Sequence, residues 1–506
     1  MTMRAPRLAL VLALALGAGL IQAVAAGPAS AGGFTFYGSG YGHGLGLSQY
    51  GALGLARSGW PAPRIVEHYY TGVKVGQHAA PFARVRVGLL QNRAEVVLIA
   101  KGGPYDLVLE NGTFVERVPG GKRRRIRITS GSAFKVIKPG GEVVGGRVWG
   151  GRGNDMLARS QARIQVVDFG HAVGHGKIEF DMVGSRRGHL VNAVTPELYL
   201  NGLSEVPASW PMEALGAQAI TARSYLYWRV SGPPRGGCSC DVLPTTADGY
   251  WIGWDREVSP SGNRWVQAVD ATRRQVATHQ GNWIYAVYGS SSGGHTEAIR
   301  KVWPAAQDLP YLKGVCDPKD DVPDNPSTRW TRRFTAGEVT TALRRYTGDI
   351  GTVKGFRDFR LGVSGRVTAV RVVGARRSDV VQGWDIRSAL GLRDTRFSVN
   401  RDLTITGRIR AKYDGSNCGP GRAKSGDRAI SGGRYQIFKR GRIYVNDRQD
   451  RVVWVRGAVL RTYLDRRGHR GPLGLPVGFQ KVEGGTRGIF QHGTITCVSG
   501  CSVQMS

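Results

Sequence analysis

Glycine constrains this chain more than any other residue. It occupies 74 of 506 positions, about twice the usual 7%. No Gly-X-Y period runs through the sequence, which excludes a collagen-like rod. Scattered between short β-branched runs, the glycines predict many turns joining short strands. Apolar residues make up 41% and charged residues 21%, which is enough to bury a core and excludes a wholly disordered chain. The length suits roughly three domains of about 100–200 residues each.

The N-terminus points to export. Arg4 and Arg7 precede an apolar run over residues 8–16, and Ala29-Ser30-Ala31 offers a small-x-small cleavage site, with Ala23-Val24-Ala25 as a second. This is the pattern of a secretory signal peptide, so residues 1–31 are expected to be removed and the mature protein secreted. No later stretch approaches the roughly 20 apolar residues of a bilayer span, so no membrane contact is expected after cleavage. The formal net charge is +33. A solvated basic surface is the plain account of it. Nucleic acid is not expected as a partner, because an exported chain seldom meets it, and anionic cell-wall polymers are the better match. Lys122-Arg123-Arg124-Arg125-Ile126-Arg127 reads as a strand or hairpin edge blunted by charge. Export also permits disulfides. The six cysteines (238, 240, 316, 418, 497 and 501) allow 15 pairings. They form an early and a late group of three, so one bridge crosses between the groups or thiols stay free. Cys238-Ser239-Cys240 is too tight for an easy local bridge.

Four stretches follow the leader. Residues 34–76 are rich in glycine and aromatics and then helical. Residues 82–200 read as strands, among them 84–90 and 95–99, with a turn at Gln91-Asn92-Arg93. Over 207–229, Met212, Leu215, Ala219, Ala222 and Leu226 recur at three- and four-residue steps, which predicts one helix with one apolar stripe. Mixed short elements fill 235–400, including a strand over 367–373 and a helix over 385–390 stopped by Gly391. Residues 410–506 hold an internal repeat: Gly432-Gly433-Arg434-Tyr435-Gln436-Ile437-Phe438 has its counterpart in Gly484-Gly485-Thr486-Arg487-Gly488-Ile489-Phe490. Such a repeat means one supersecondary unit per copy. The fold class expected is α+β and strand-rich, with one long helix at the active cleft and a small C-terminal repeat domain.

Three segments carry polar groups suited to chemistry. In Gly38-Ser39-Gly40-Tyr41-Gly42-His43-Gly44-Leu45-Gly46-Leu47-Ser48-Gln49, glycine alternates with larger residues; in a strand one face would be bare backbone, open to a ligand. His43, Ser48 and Gln49 stand beside it. Glu205 lies just before the long helix, among apolar and proline residues. Burial there would raise its pKa, as a general acid needs, while the helix N-terminus would lower it. Glu213, in the first helical turn, reads as a dipole partner, and Gln218 and Arg223 lie further along. In the third segment, Tyr285-Ala286-Val287-Tyr288 runs into Gly289-Ser290-Ser291-Ser292-Gly293-Gly294-His295-Thr296-Glu297. No Gly-x-Ser-x-Gly elbow is present, so this loop reads as a ligand-binding loop rather than a serine nucleophile. Tyr285, Tyr288, Trp283 and Trp254 are candidates for stacking on sugars.

Together these segments, with Ser364-Gly365-Arg366-Val367 and Gly391-Leu392-Arg393-Asp394-Thr395-Arg396-Phe397, resemble the SpoIID/LytB family over most of residues 34–400. The family's lytic transglycosylases cleave peptidoglycan glycan strands, some in sporulation, and other members are described as amidase enhancers. The resemblance implies that Glu205 is the catalytic acid/base; Val206 follows it where the family has methionine. It further implies that His43, Ser48, Gln49, Gln218, Arg223, Tyr288, Ser291, Ser292, Gly293 and Gly294 bind the glycan. Some members hold zinc through Cys/His residues, but here Thr245-Thr246-Ala247-Asp248-Gly249 stands where a His-Cys pair is expected. No metal and no cofactor is therefore expected. The Gly-His-Gly segment comes last in the family and first here, which resembles a circular permutation and would place 34–76 beside 360–400. The C-terminal copies, with Gly471-Pro472-Leu473-Gly474-Leu475-Pro476, resemble the LGFP repeat of wall-associated proteins. The expectation is a secreted, wall-associated protein of four parts: the leader (1–31), the Gly-His-Gly segment (34–76), the SpoIID/LytB-like domain (82–400) and wall-binding repeats (410–506). Its partners would be peptidoglycan glycan strands, anionic wall polymers and an amidase. Its reaction would be cleavage of the MurNAc–GlcNAc bond to 1,6-anhydro ends, or, in the alternative, none, with the protein acting as a wall-binding amidase enhancer.

Overall fold

The computed structural model describes residues 33–129, 133–149, 156–159, 163–183 and 186–506. The leader expected at residues 1–31 lies outside them. The fold is α+β, built of many small antiparallel sheets around one long helix. Among the described residues no helix is long and apolar enough to cross a membrane.

That helix is Met212–Val230. Its side chains from Ala214 to Tyr227 are all buried, so the single apolar stripe read from sequence is corrected to burial all round, as in any helix with a core on both sides. Leu215, Ala219, Ala222 and Leu226 pack into one core with the two six-stranded sheets formed by residues 85–194. Ala217, Ile220 and Tyr225 pack into a second core with Ile65, Val66, Tyr69 and Tyr70. Small residues make the close fit possible: a Cβ on Gly216 would stand 3.0 Å from the Ala62 Cβ.

The first strand, Phe34–Gly38, lies between Trp330–Phe334 and Phe397–Val399, antiparallel to both. The next residues do not continue it. Gly40, Gly42, Gly44 and Gly46 have φ of 88°, 122°, 73° and 63°, a region that glycine enters without cost. The expected glycine-faced strand is therefore a curled loop, which ends in the two-residue strand Leu47–Ser48 and the helix Gln49–Arg57.

Two further readings are corrected. The basic run is no edge: Arg123–Thr129 is paired on both sides, with Glu95–Lys101 and Ala133–Ile137. Its charges are absorbed locally, since Arg124 is buried against Glu116 at 2.5 Å and Arg127 reaches Glu95 at 2.7 Å. The turn at Gln91-Asn92-Arg93 is the end of the strand Val85–Arg93. The helix Gly383–Leu390 ends on Gly391 at φ 57°, where a left-handed cap requires glycine, and the strand Val367–Gly374 forms as read.

All six cysteines are bridged, as Cys238–Cys240, Cys316–Cys418 and Cys497–Cys501. The first contradicts the sequence expectation. The chain turns back at Arg235, whose N–H donates to the Cys240 carbonyl, and this brings the Cα atoms of the two cysteines to 5.2 Å, within bridging range. Cys316–Cys418 crosses between the early and late groups. Three disulfides fit an oxidising, extracytoplasmic compartment.

The repeated segments each fold into a hairpin, Gly433–Phe438 with Gly441–Asn446 and Gly485–Phe490 with Gly493–Cys497. Each hairpin sits in a four-stranded sheet. The sheets share a core of Tyr435, Tyr444, Tyr463, Leu473 and Phe490, into which the helix Gly457–Asp465 packs.

Candidate functional site

Glu205 sits in the turn between the helices Pro196–Asn201 and Met212–Val230. A second segment clamps that turn. Leu203 bridges Trp251, and the Ser204 N–H donates to the Tyr250 carbonyl at 2.7 Å. In return the Tyr250 N–H donates to Glu205 Oε1 at 2.5 Å, and the Tyr288 hydroxyl donates to the same oxygen at 3.3 Å. Burial raises the Glu205 pKa, and the contacts from Tyr250, Tyr288 and Gln49 oppose it without cancelling it. Glu213 stands in the first turn of the long helix, and its carboxylate accepts from the Ala62 N–H at 2.6 Å. The arrangement is a desolvated carboxyl that holds its proton to higher pH than an exposed one, as a general acid requires.

Several sequence-predicted residues gather around it. Gln49 donates to the Glu205 carbonyl and to Gln218 Oε1, both at 3.4 Å, while the buried Gln218 Nε2 has no partner among the described residues. Tyr288 is half-buried against the second core, and its phenol pKa is pushed far up by desolvation and by the Glu205 charge. His43 accepts from the Leu45 N–H at 2.9 Å. Burial first, and then Arg366, lower its pKa to about 4, so the imidazole is neutral at physiological pH.

Other predicted residues have different employment. Arg223, fully buried, pairs with Glu197 at 2.7 Å and donates to the Val269 carbonyl. Ser48 caps the helix Gln49–Arg57 and donates to Asp320 at 2.7 Å. Ser291 donates to Asp320 at 2.8 Å and Ser292 to Asp317 at 2.7 Å. With both hydroxyls committed to buried carboxyls, neither Ser291 nor Ser292 turns its side chain outward. The Gly293 N–H also donates to Asp320, and Gly294 lies beside Arg396 and Arg410. His295 and Glu297 are likewise occupied, by the Thr296 carbonyl and by Ser364, so no nucleophilic triad forms.

Sequence reasoning missed the Asp317–Asp320 pair. Tyr69, Ser48, Ser291 and Ser292 all donate into it. Burial raises both pKa values, with Asp317 carried to about 7 by burial and the Asp320 charge. Of the aromatic wall it named only Tyr285 and missed Trp228, Tyr225 and Trp303. Tyr285 lies with its ring centroid 4.1 Å from Trp228, 6.0 Å from Tyr225 and 6.1 Å from Trp303, and Trp303 is 5.4 Å from His43. Trp228 is 37% exposed. Tyr225 joins this wall to the Glu205 clamp by donating to Asp248 at 2.6 Å, two residues before Tyr250. Trp228 falls at the exposed end of the long helix, a periodicity signal that was available. Trp283 packs on His78 and Tyr227, and Trp254 on His175, so neither joins the wall. Among the described residues no group of three or more His, Cys, Asp or Glu side chains is placed to hold a metal ion.

Residues 185–279, which contain Glu205, its helix and the Tyr250 clamp, match the SpoIID model, described as stage II sporulation protein. This region is a SpoIID domain. The chain is 33% identical over 138 residues to the amidase enhancer of Bacillus subtilis (strain 168), covering 27% of this chain and 17% of that protein. It is 29% identical over 236 residues to stage II sporulation protein D of the same organism, covering 43% and 65%. It is 28% identical over 232 residues to stage II sporulation protein D of Bacillus amyloliquefaciens, covering 43% and 64%. The chain thus spans less than two thirds of the length of each of these relatives. Tyr288, His43 and the Ser-Gly loop lie outside the SpoIID match.

Proposed function

We propose that this protein is a secreted, wall-associated lytic transglycosylase that cleaves the MurNAc–GlcNAc bonds of peptidoglycan. The observation that carries the reading is the Glu205 carboxyl, desolvated and held through Oε1 by Tyr250 and Tyr288, in a region of the family whose members are named for sporulation and amidase enhancement. Protonated Glu205 gives its proton to the glycosidic oxygen as the bond to the MurNAc anomeric carbon breaks. The resulting carboxylate takes the proton of the MurNAc 6-hydroxyl as that oxygen bonds to the same carbon. The products are a free GlcNAc 4-hydroxyl and a 1,6-anhydro end, and the glutamate is again protonated. One switching carboxyl suffices, because no water is activated. The Trp228–Tyr285–Trp303 wall offers faces for sugar rings. The C-terminal hairpins, read as LGFP-like, and the positive charge suit retention on anionic wall polymers.

The similarity to an amidase enhancer favours a second reading, a wall-binding protein that stimulates an amidase without cutting glycan itself. Digesting purified glycan strands, with and without stem peptides, and searching for anhydro ends by mass spectrometry separates the two. The wild type is expected to produce them, and Glu205→Gln to do so about 10²–10⁴-fold more slowly. Equal rates would remove Glu205 from the mechanism. No anhydro ends, together with a stimulated amidase, would favour the second reading.

A further inference from the structure

A cavity of about 420 Å³ lies away from Glu205, where the sheet carrying Phe34–Gly38 meets the segment 400–424. Its size falls within the range of small-ligand pockets. Six cationic side chains line it, Arg329, Arg396, Arg401, Arg410, Arg422 and Lys424, and no acidic residue does. Between them the wall is apolar, with Phe359, Leu361, Phe397 and Ile405.

The cations are unequally satisfied. Arg410 is paired with Asp414 at 2.8 Å and with Asp321 at 3.6 Å. Arg396 is not: its Nη1 is buried without a hydrogen-bond partner among the described residues. Burial, with the charges of Arg366 and Arg410, disfavours its protonated form. The Arg422 side chain makes no hydrogen bond or ion pair among the described residues. A buried guanidinium nitrogen left unpaired is costly, and guanidinium forks match the oxygens of carboxylates and phosphates.

We propose that this cavity binds an oxyanion, a carboxylate or a phosphate ester, carried on an apolar body, with Arg396 and Arg422 gripping the anion. The two arginines come from different parts of the chain, Arg396 just before the strand Phe397–Val399 and Arg422 from the segment leading to the C-terminal sheets. An occupant would therefore join the two parts of the molecule. Gly293 of the Ser-Gly loop also lines the cavity, so the occupant would touch the loop that begins at Tyr288, the residue bonded to Glu205.

The test is calorimetric titration of the full chain with phenyl phosphate, benzoate and benzyl alcohol. At least one of the two anions should saturate the protein below about 10 mM, and the tighter one names the source chemistry. Benzyl alcohol should not bind. Arg422→Gln, which breaks no internal contact, should weaken anion binding about tenfold or more, as should Arg396→Gln. Arg300→Gln, at an exposed position outside the cavity, should leave it unchanged. Failure of both anions to saturate, equal affinity in Arg422→Gln, or binding of benzyl alcohol as tight as that of the anions would overturn the proposal. None of these readouts depends on glycan cleavage.

Discussion

Replacing Tyr288 by phenylalanine tests whether the Glu205 proton is set by its surroundings. The substitution keeps the ring and its packing and removes one donor to Oε1. The contact is 3.3 Å long, beyond the usual O–H···O range of about 2.5–3.0 Å. Its worth therefore lies at the low end of the roughly 1.5–3 kcal/mol assigned to hydrogen bonds with charged groups, and about 1.4 kcal/mol corresponds to one pH unit. Tyr288 stabilises the ionised carboxylate, so its removal makes Glu205 hold its proton to higher pH. A general acid loses activity as pH rises through its pKa. The alkaline limb of the cleavage rate should therefore move up by about one pH unit in Tyr288→Phe. The carboxyl carbon resonance of Glu205, followed by NMR in the absence of substrate, should titrate later by the same amount. A limb and a resonance that both stay in place, or move to lower pH, would refute the view that this hydroxyl opposes the effect of burial.

Two stability predictions follow from the scaffold behind the site. The Asp317–Asp320 pair has raised folded pKa values, Asp317 to about 7, so its stabilising contribution is complete below the unfolded carboxylate range and is lost as pH rises through about 7. The melting temperature should fall between about pH 4, where an unfolded carboxyl ionises, and about pH 7, and level off above it, and Asp317→Asn should flatten that fall; an unchanged slope would place the titration elsewhere. Replacing Cys316 and Cys418 together by serine opens a bridge between residues 102 apart in sequence. The fold should lose about 2–5 kcal/mol, read by urea denaturation, and a loss below about 0.5 kcal/mol would show that the bridge constrains little.

The segments with polar groups suited to chemistry, and the repeat, were legible because each is local. Glu205, the long helix, the Ser-Gly loop and the repeated hairpins all announce themselves in runs of a few residues. The same locality explains the misreadings. Alternating glycines at Gly40, Gly42, Gly44 and Gly46 suit a strand as well as a curl of positive φ, and only the partners across the loop choose. The Arg123–Thr129 run resembled an edge because Glu116 and Glu95, which absorb its charge, come from other strands.

By itself the sequence determined an α+β chain of short strands around one long helix, with a carboxyl poised before that helix, because periodicity and turn chemistry are properties of neighbours along the chain. Only the tertiary structure decided that Ser48, Ser291 and Ser292 face inward onto Asp317 and Asp320, that Tyr250 and Tyr288 hold Glu205, and that Arg396 and Arg422 line one cavity. Burial and electrostatic environment depend on groups that meet from distant parts of the chain, and those meetings set both the direction of a pKa and the employment of a side chain.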